Sequence, residues 1–214
     1  KTGTLVVARR HAWPALPVVA LGLTGLTVLA WLLDGYTSAR WLSTELFLTL
    51  FCAMFLYGWD RARRLDTVAG SIAALALALA PLAYHVASIA ILASHSLPLL
   101  VYLIAVTAAG VIAAEVLGRP WLRLVVLAAV FLPLLAWADV RRSEAWLTPG
   151  AVTIAAVYGL HLIASLRAIE EDGRRLRDFE VVLLHANGLG LYVLLDPLLA
   201  DRGLITSGWL AAAL

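Results

Sequence analysis

The chain has one cysteine and one methionine in 214 residues, and only 14% of its residues are charged. Cys52 has no second cysteine to bond, which excludes an internal disulfide framework. HExxH and paired cysteines are missing, so no metal site is expected. No GxxxxGK followed by Ser or Thr is present either, so no nucleotide site and no cofactor are expected. A net charge of +2 gives no basic surface suited to nucleic acid. Long polar linkers are missing too. The longest polar stretch is RAIEEDGRRLRD, from Arg167 to Asp178, and it is expected to prolong the preceding helix along the interface until Gly173 breaks it.

What remains is apolar. Hydrophobic residues make up 63% of the chain, and the mean hydropathy is +0.92. A water-soluble domain needs a largely polar exterior and cannot conceal that much apolar surface. A helix needs about 20 mainly apolar residues to cross the hydrocarbon layer. Seven stretches qualify: roughly 14–33, 42–58, 68–93, 97–117, 121–138, 149–166 and 179–195. An eighth opens at Leu204 and is still apolar at Leu214, too short to span. Barrel strands would alternate polar and apolar residues, and SIAALALALAPLA does not. The expected fold is all-α: a polytopic transmembrane helical bundle forming one continuous region over 1–214, with seven complete spans and a truncated eighth. Pro81 lies inside the third span, where a kink is expected. The chain starts at Lys1 with neither Met nor a signal-peptide pattern, so it is read as a fragment. Its expected partners are the lipid bilayer, the remaining transmembrane helices of the full-length protein, and further copies or envelope proteins.

Basic residues orient the spans. Lys1, Arg9, Arg10, Arg61, Arg63, Arg64, Arg119, Arg123, Arg167, Arg174, Arg175 and Arg177 flank one set of span ends, whereas Arg40, Arg141, Arg142 and Arg202 flank the other. Cytoplasmic loops collect Lys and Arg, so a cytoplasmic N-terminus is expected. Trp13, Trp31, Trp41, Trp59, Trp121, Trp137 and Trp146 fall near span ends, where an indole buries its ring and keeps its N–H wet.

Two segments, GRPWLRLVVLAAVFLPLLAW and FEVVLLHANGLGLYVLLDPLLADRGL, together with ARRHAWPALPVVAL, carry a family likeness. The chain resembles the large bacterial multi-pass membrane proteins grouped as domain of unknown function 2339. That resemblance implies a bacterial plasma membrane and a longer parent protein, and it implies no activity and no site residues.

Ionisable groups at membrane depth are costly and mark candidate sites. His161 and His185 each lie about 10 Å in from the predicted cytoplasmic ends of spans six and seven. They are expected to share a level, with Asn187 close by. A proton relay or ligand pocket is one reading, and interhelical hydrogen bonding is the simpler one. His85, four residues after Pro81, invites the same two readings. Glu115 is expected to pair with Arg119 at i,i+4, or to serve as a proton or cation ligand in an inward-facing cavity. Glu45, in the first turn of span two, is explained by the helix dipole. Glycines in HANGLGLY, with Gly22 and Gly25, are expected to permit close helix approach. Asp34, in LLDGYTSARW, is the weak catalytic candidate, an outer-face carboxylate of an envelope enzyme acting on a lipid-linked substrate; Asp-Gly is also an ordinary turn. The leading expectation is a non-enzymatic, transport-like or scaffold bundle of the cell envelope, with that enzyme as the alternative.

Overall fold

The computed structural model describes residues 15–140, 144–171 and 178–200, which are helical and contain no strand. They gather into two compact units, 1–94 and 95–214.

The first unit contains α1 (Ala15–Asp34), a single 3-10 turn (Ser38–Arg40), α2 (Trp41–Ala62), α3 (Val68–Leu77) and α4 (Ala80–Leu92). Thr67 caps α3, its hydroxyl accepting from Gly70 N at 3.0 Å and so satisfying one of the free amides of the first turn. The expected kink is a local interruption. Ala78 and Leu79 form turns with right-handed helical backbone between α3 and α4, and Pro81 sits in the first turn of α4, where its missing N–H is tolerated. Phe51, Phe55, Ala73, Ala74 and Leu77 form the core of this unit, with the Phe47 and Phe51 rings 4.5 Å apart edge to face. By contrast α1 leaves Val19, Leu23, Leu26, Leu29 and Leu33 exposed. Gly22 and Gly25 have no neighbour within 4 Å of a Cβ, so they do not provide the close approach expected of them.

The second unit contains α5 (Ser96–Val116), α6 (Trp121–Val140), a 3-10 turn (Glu144–Trp146), α7 (Leu147–Glu171) and α8 (Asp178–Ala200). The α5–α6 turn is a Schellman motif. Gly118 has φ 60°, its N–H donates to Glu115 O at 3.0 Å, and Arg119 N–H donates to Ala114 O at 2.9 Å. Here a glycine does allow close packing: a Cβ on Gly110 would lie 2.8 Å from Val126 Cγ1. Gly190, of HANGLGLY, behaves similarly, with Phe131 Cδ2 at 3.3 Å. Leu103, Val130, Leu134 and Leu183 are fully enclosed between these helices.

Among the described residues, six helical segments are long and apolar enough to cross a membrane: Ala15–Asp34, Ser38–Ala62, Val68–Leu92, Ser96–Val116, Trp121–Ala138 and Leu147–Ile169. Large apolar side chains such as Leu26, Leu75, Val116 and Val182 stand exposed along the helices, as lipid-facing residues do. Seven complete spans are therefore not found. The apolar part of α8, Phe179–Leu195, is shorter than the other six. The expected eighth stretch lies outside the described residues. Trp137 also departs from expectation: it is buried, its Nε1 has no hydrogen-bond partner among the described residues, and its ring packs edge to face against Trp146 at 6.3 Å. Trp13 lies outside the described residues.

Candidate functional site: a buried ionic cluster in the second unit

Arg123 is the third residue of α6. It follows Trp121 and Leu122 into an apolar helix, and the fold encloses it almost completely, leaving 1% exposed. Its position is thus inside the bundle and not in a solvated basic loop. Glu180, third in α8, is 4% exposed and receives a hydrogen bond from Arg123 Nη2 through Oε1. On the other side Glu115 Oε1, near the end of α5, lies 3.7 Å from Arg123 Nε. That carboxylate is 52% exposed, so the guanidinium has one partner inside the bundle and one at its rim. The Phe179 ring, centred 6.0 Å from Arg123 Cζ, covers the cation. Glu115 therefore pairs with Arg123 on the neighbouring helix instead of Arg119 on the turn that follows it. The Schellman turn at Gly118 ends α5 before an i,i+4 pairing with Arg119 can form.

His161, in α7, is 0% exposed and lies within electrostatic reach of Arg123. Ser165 follows one turn later on the same face and is equally enclosed. Neither ring nitrogen of His161 has a hydrogen-bond partner among the described residues, nor does the Ser165 hydroxyl. The same holds for Arg123 Nε and Nη1 and for Glu180 Oε2. Buried polar atoms are nearly always paired in folded proteins, so this concentration of unpaired donors and acceptors marks the place where the unit departs from pure packing.

His185 does not join this cluster. It is exposed on α8, and its Nδ1 bonds Val181 O of its own helix at 2.7 Å. A shared level is thus not a shared site, since His161 points into the bundle and His185 out of it. Asn187, two residues further on, faces inward and its Nδ2 donates to Tyr158 O of α7 at 3.0 Å, the interhelical bond of the simpler reading. A small apolar cavity of about 20 Å³ lies beside it, lined by Phe131, Leu134, Tyr158 and Gly190. In the first unit, His85 is buried on α4 and has a partner. Asp34 is exposed at the end of α1. Glu45 is not in the first turn of α2; it is buried against α4.

No family model, no curated protein and no solved structure matches this chain. Among the described residues, no group of three His, Cys, Asp or Glu side chains is placed to hold a metal ion. The chemistry of the cluster accordingly rests on its own atoms. It comprises one permanent cation, two carboxylates of unequal exposure, and an imidazole, the side chain whose ordinary proton equilibrium lies near neutral pH. Such a set can store a proton and change the carboxylate to which the arginine is bound.

Sequence reasoning finds His161 and Glu115 but misses Arg123, Glu180 and Ser165. Arg123 looks like one more cytoplasmic arginine, and Glu180 like one more charge at a helix entrance. The available signal is their combination: single, opposite charges two residues into two apolar helices that start at the same end of an antiparallel bundle.

Proposed function

We propose that this chain is a multi-pass protein of a bacterial plasma membrane, its N-terminus cytoplasmic, whose second unit is a transport-like bundle that handles protons. The observation that carries the reading is the buried Arg123–Glu180 pair with the unpaired polar atoms of His161 and Ser165 beside it. An arginine at the centre of a span costs about 2.5–3.5 kcal/mol even on the most lenient insertion scale, and Arg123, although third in its helix, is enclosed to 1% exposure and denied the water that a helix end usually offers. A bundle that needed only cohesion would gain as much from apolar packing. Polar groups kept in spite of that cost are the mark of ion and proton pathways. The half-exposed Glu115 supplies the route to the surface: Arg123 released from Glu180 has a second carboxylate within reach, and Glu180 is then free to take up a proton beside the buried imidazole of His161. The resemblance to the family of domain of unknown function 2339 agrees with the cellular location and adds no activity.

Reconstitution of the full chain into liposomes containing a pH-sensitive dye tests this. An imposed potassium diffusion potential is expected to drive proton flux above that of protein-free vesicles, and His161→Phe and Glu180→Gln are expected to abolish it while the variants remain folded. Wild-type flux equal to that of empty vesicles would overturn the proposal in favour of a scaffold.

A further inference from the structure

The first unit holds a polar cluster of its own, independent of the one around Arg123. Glu45, on α2, is 9% exposed. Ser88 Oγ of α4 donates to its Oε2 at 3.0 Å, and the Tyr84 hydroxyl stands 3.4 Å from the same oxygen. Oε1 is buried without a hydrogen-bond partner among the described residues. The described residues include no salt bridge to Glu45. Arg63 and Arg64 lie beyond the far end of α2, where Asp60 holds them at 2.6 and 2.9 Å. The titratable groups that act on the cluster are Tyr84 from α4, Tyr36 from the α1–α2 connection, and Cys52, one turn beyond Thr49 on α2, and none of these is a cation. His85, next to Tyr84 on α4, is buried and has a partner.

Counting protons decides the state of the carboxyl. Thr49 Oγ1 lies 2.7 Å from Glu45 O, and because a carbonyl can only accept, the Thr49 proton is committed there. Tyr84 OH lies 3.0 Å from Thr49 Oγ1 and is also hydrogen-bonded to Ser88, so its single phenolic proton cannot serve Thr49, Ser88 and Glu45 Oε2 together. The Tyr84 and Ser88 hydroxyls thus bring two protons to four contacts, those of Tyr84 with Thr49, Ser88 and Glu45 Oε2 and that of Ser88 with Glu45 Oε2, and a proton on Glu45 fills one that is otherwise empty. With a proton on Oε2 the chain closes in one direction: Glu45 carboxyl to Tyr84, Tyr84 to Thr49, Thr49 to the Glu45 carbonyl. A protonated carboxyl also removes the uncompensated charge that a buried carboxylate without a cation would impose on a span.

We propose that Glu45, with Tyr84, Thr49 and Ser88, is a proton-binding site, the carboxyl being seated as the acid and donating to Tyr84. Access is through Tyr84. Its side chain forms part of the wall of an apolar crevice of about 620 Å³ between α1, α2 and α4, which Thr24, Cys52 and Phe55 also line. An apolar reagent dissolved in the bilayer can therefore reach the hydroxyl that touches the carboxyl.

Infrared difference spectroscopy of the full chain in lipid provides the test, read in water and in deuterium oxide. A carboxylic-acid carbonyl band is expected at neutral pH, shifted by deuterium, absent in Glu45→Gln, and lost as the pH is raised. Tyr84→Phe removes the acceptor and should move the band to higher frequency. Thr49→Val frees the Tyr84 proton to serve the carboxylate and should shift loss of the band to lower pH, a response that a merely structural role would not give. Dicyclohexylcarbodiimide, which adds to protonated carboxyls, should modify Glu45 at neutral pH and more slowly in alkali. No acid band in the wild type at neutral pH, or a band retained in Glu45→Gln, would overturn the proposal. Disappearance of both band and adduct on adding sodium ions would overturn it as well, by showing the seat to be a sodium site.

Discussion

Arg123 and Glu180 meet inside the second unit, each third in its helix and each almost wholly enclosed. Removal of Arg123 leaves Glu180 buried and unpaired, whereas removal of Glu180 leaves Arg123 only the half-exposed Glu115 at 3.7 Å. Arg123→Met is expected to cost about 3–5 kcal/mol, because Glu180 then has no compensation, and Glu180→Leu less, because Arg123 keeps Glu115. The double variant is expected to recover most of that loss, since two apolar side chains suit the site as packing. Thermal unfolding in detergent, arranged as a double-mutant cycle, measures the coupling; additive losses would show that the pair is not a unit.

Gly110 makes a steric prediction. Its Cβ position is occupied by Val126, a β-branched side chain with little freedom to retreat. Gly110→Ala should destabilise the protein by about 1–3 kcal/mol, as overpacking does, despite the better helix propensity of alanine. Adding Val126→Ala should restore it. Gly22→Ala, with no neighbour in reach, should instead stabilise by up to about 1 kcal/mol. Melting temperatures of these variants against the wild type check the ordering.

Asn187 and His185 lie two residues apart and should respond oppositely. Asn187→Ala breaks the bond to Tyr158 O and should cost about 1 kcal/mol, the usual scale of an interhelical hydrogen bond in lipid. His185→Phe removes only a bond to its own helix from an exposed position, so stability should be unchanged within about 0.5 kcal/mol. A proton-flux measurement on the same two variants separates structure from function: neither should reduce flux if the working cluster is the one around His161.

Much of the architecture is legible in the sequence because it follows from length and period. The expected span over 97–117 is α5 at Ser96–Val116, and that over 121–138 is the apolar part of α6, since an apolar run between a turn and a basic entry has one helical solution. Pro81 announces the interruption between α3 and α4. Depth along a helix is readable to within a turn, but rotation about the helix axis is not. That is why His161 and His185 are expected together although one faces the bundle and the other its surroundings. In such apolar helices nearly every face is hydrophobic, so the pattern does not say which face is enclosed. The partners of Arg123 and of Glu45 are hidden for the same reason: each pairing depends on which helices become neighbours.

The distribution of basic residues makes the last prediction, one about orientation. Burial of Arg123 removes one residue from the side that carries most of the Lys and Arg, yet Arg61, Arg63, Arg64, Arg119 and Arg167 still flank the same alternate helix ends. Single cysteines can be introduced on a Cys52→Ser background to read the outcome. In inside-out vesicles, a membrane-impermeant maleimide should label Arg64→Cys and Gly118→Cys, which lie in the turns after α2 and α5. In right-side-out spheroplasts it should label Tyr36→Cys and Ser94→Cys, which lie before α2 and before α5. The Gly118 variant loses the residue at φ 60°, so Arg119→Cys serves as its unstrained control. The reverse labelling would invert the topology, put Glu115 and Arg123 at the outer face, and require the proton route to start outside the cell. Val68–Leu92 and Ser96–Val116 lie between positions 64 and 118, and two crossings return the chain to the side it left. Labelling of Arg64→Cys and Gly118→Cys from opposite sides would therefore mean that one of those two segments does not span, against the pattern of basic residues at their ends.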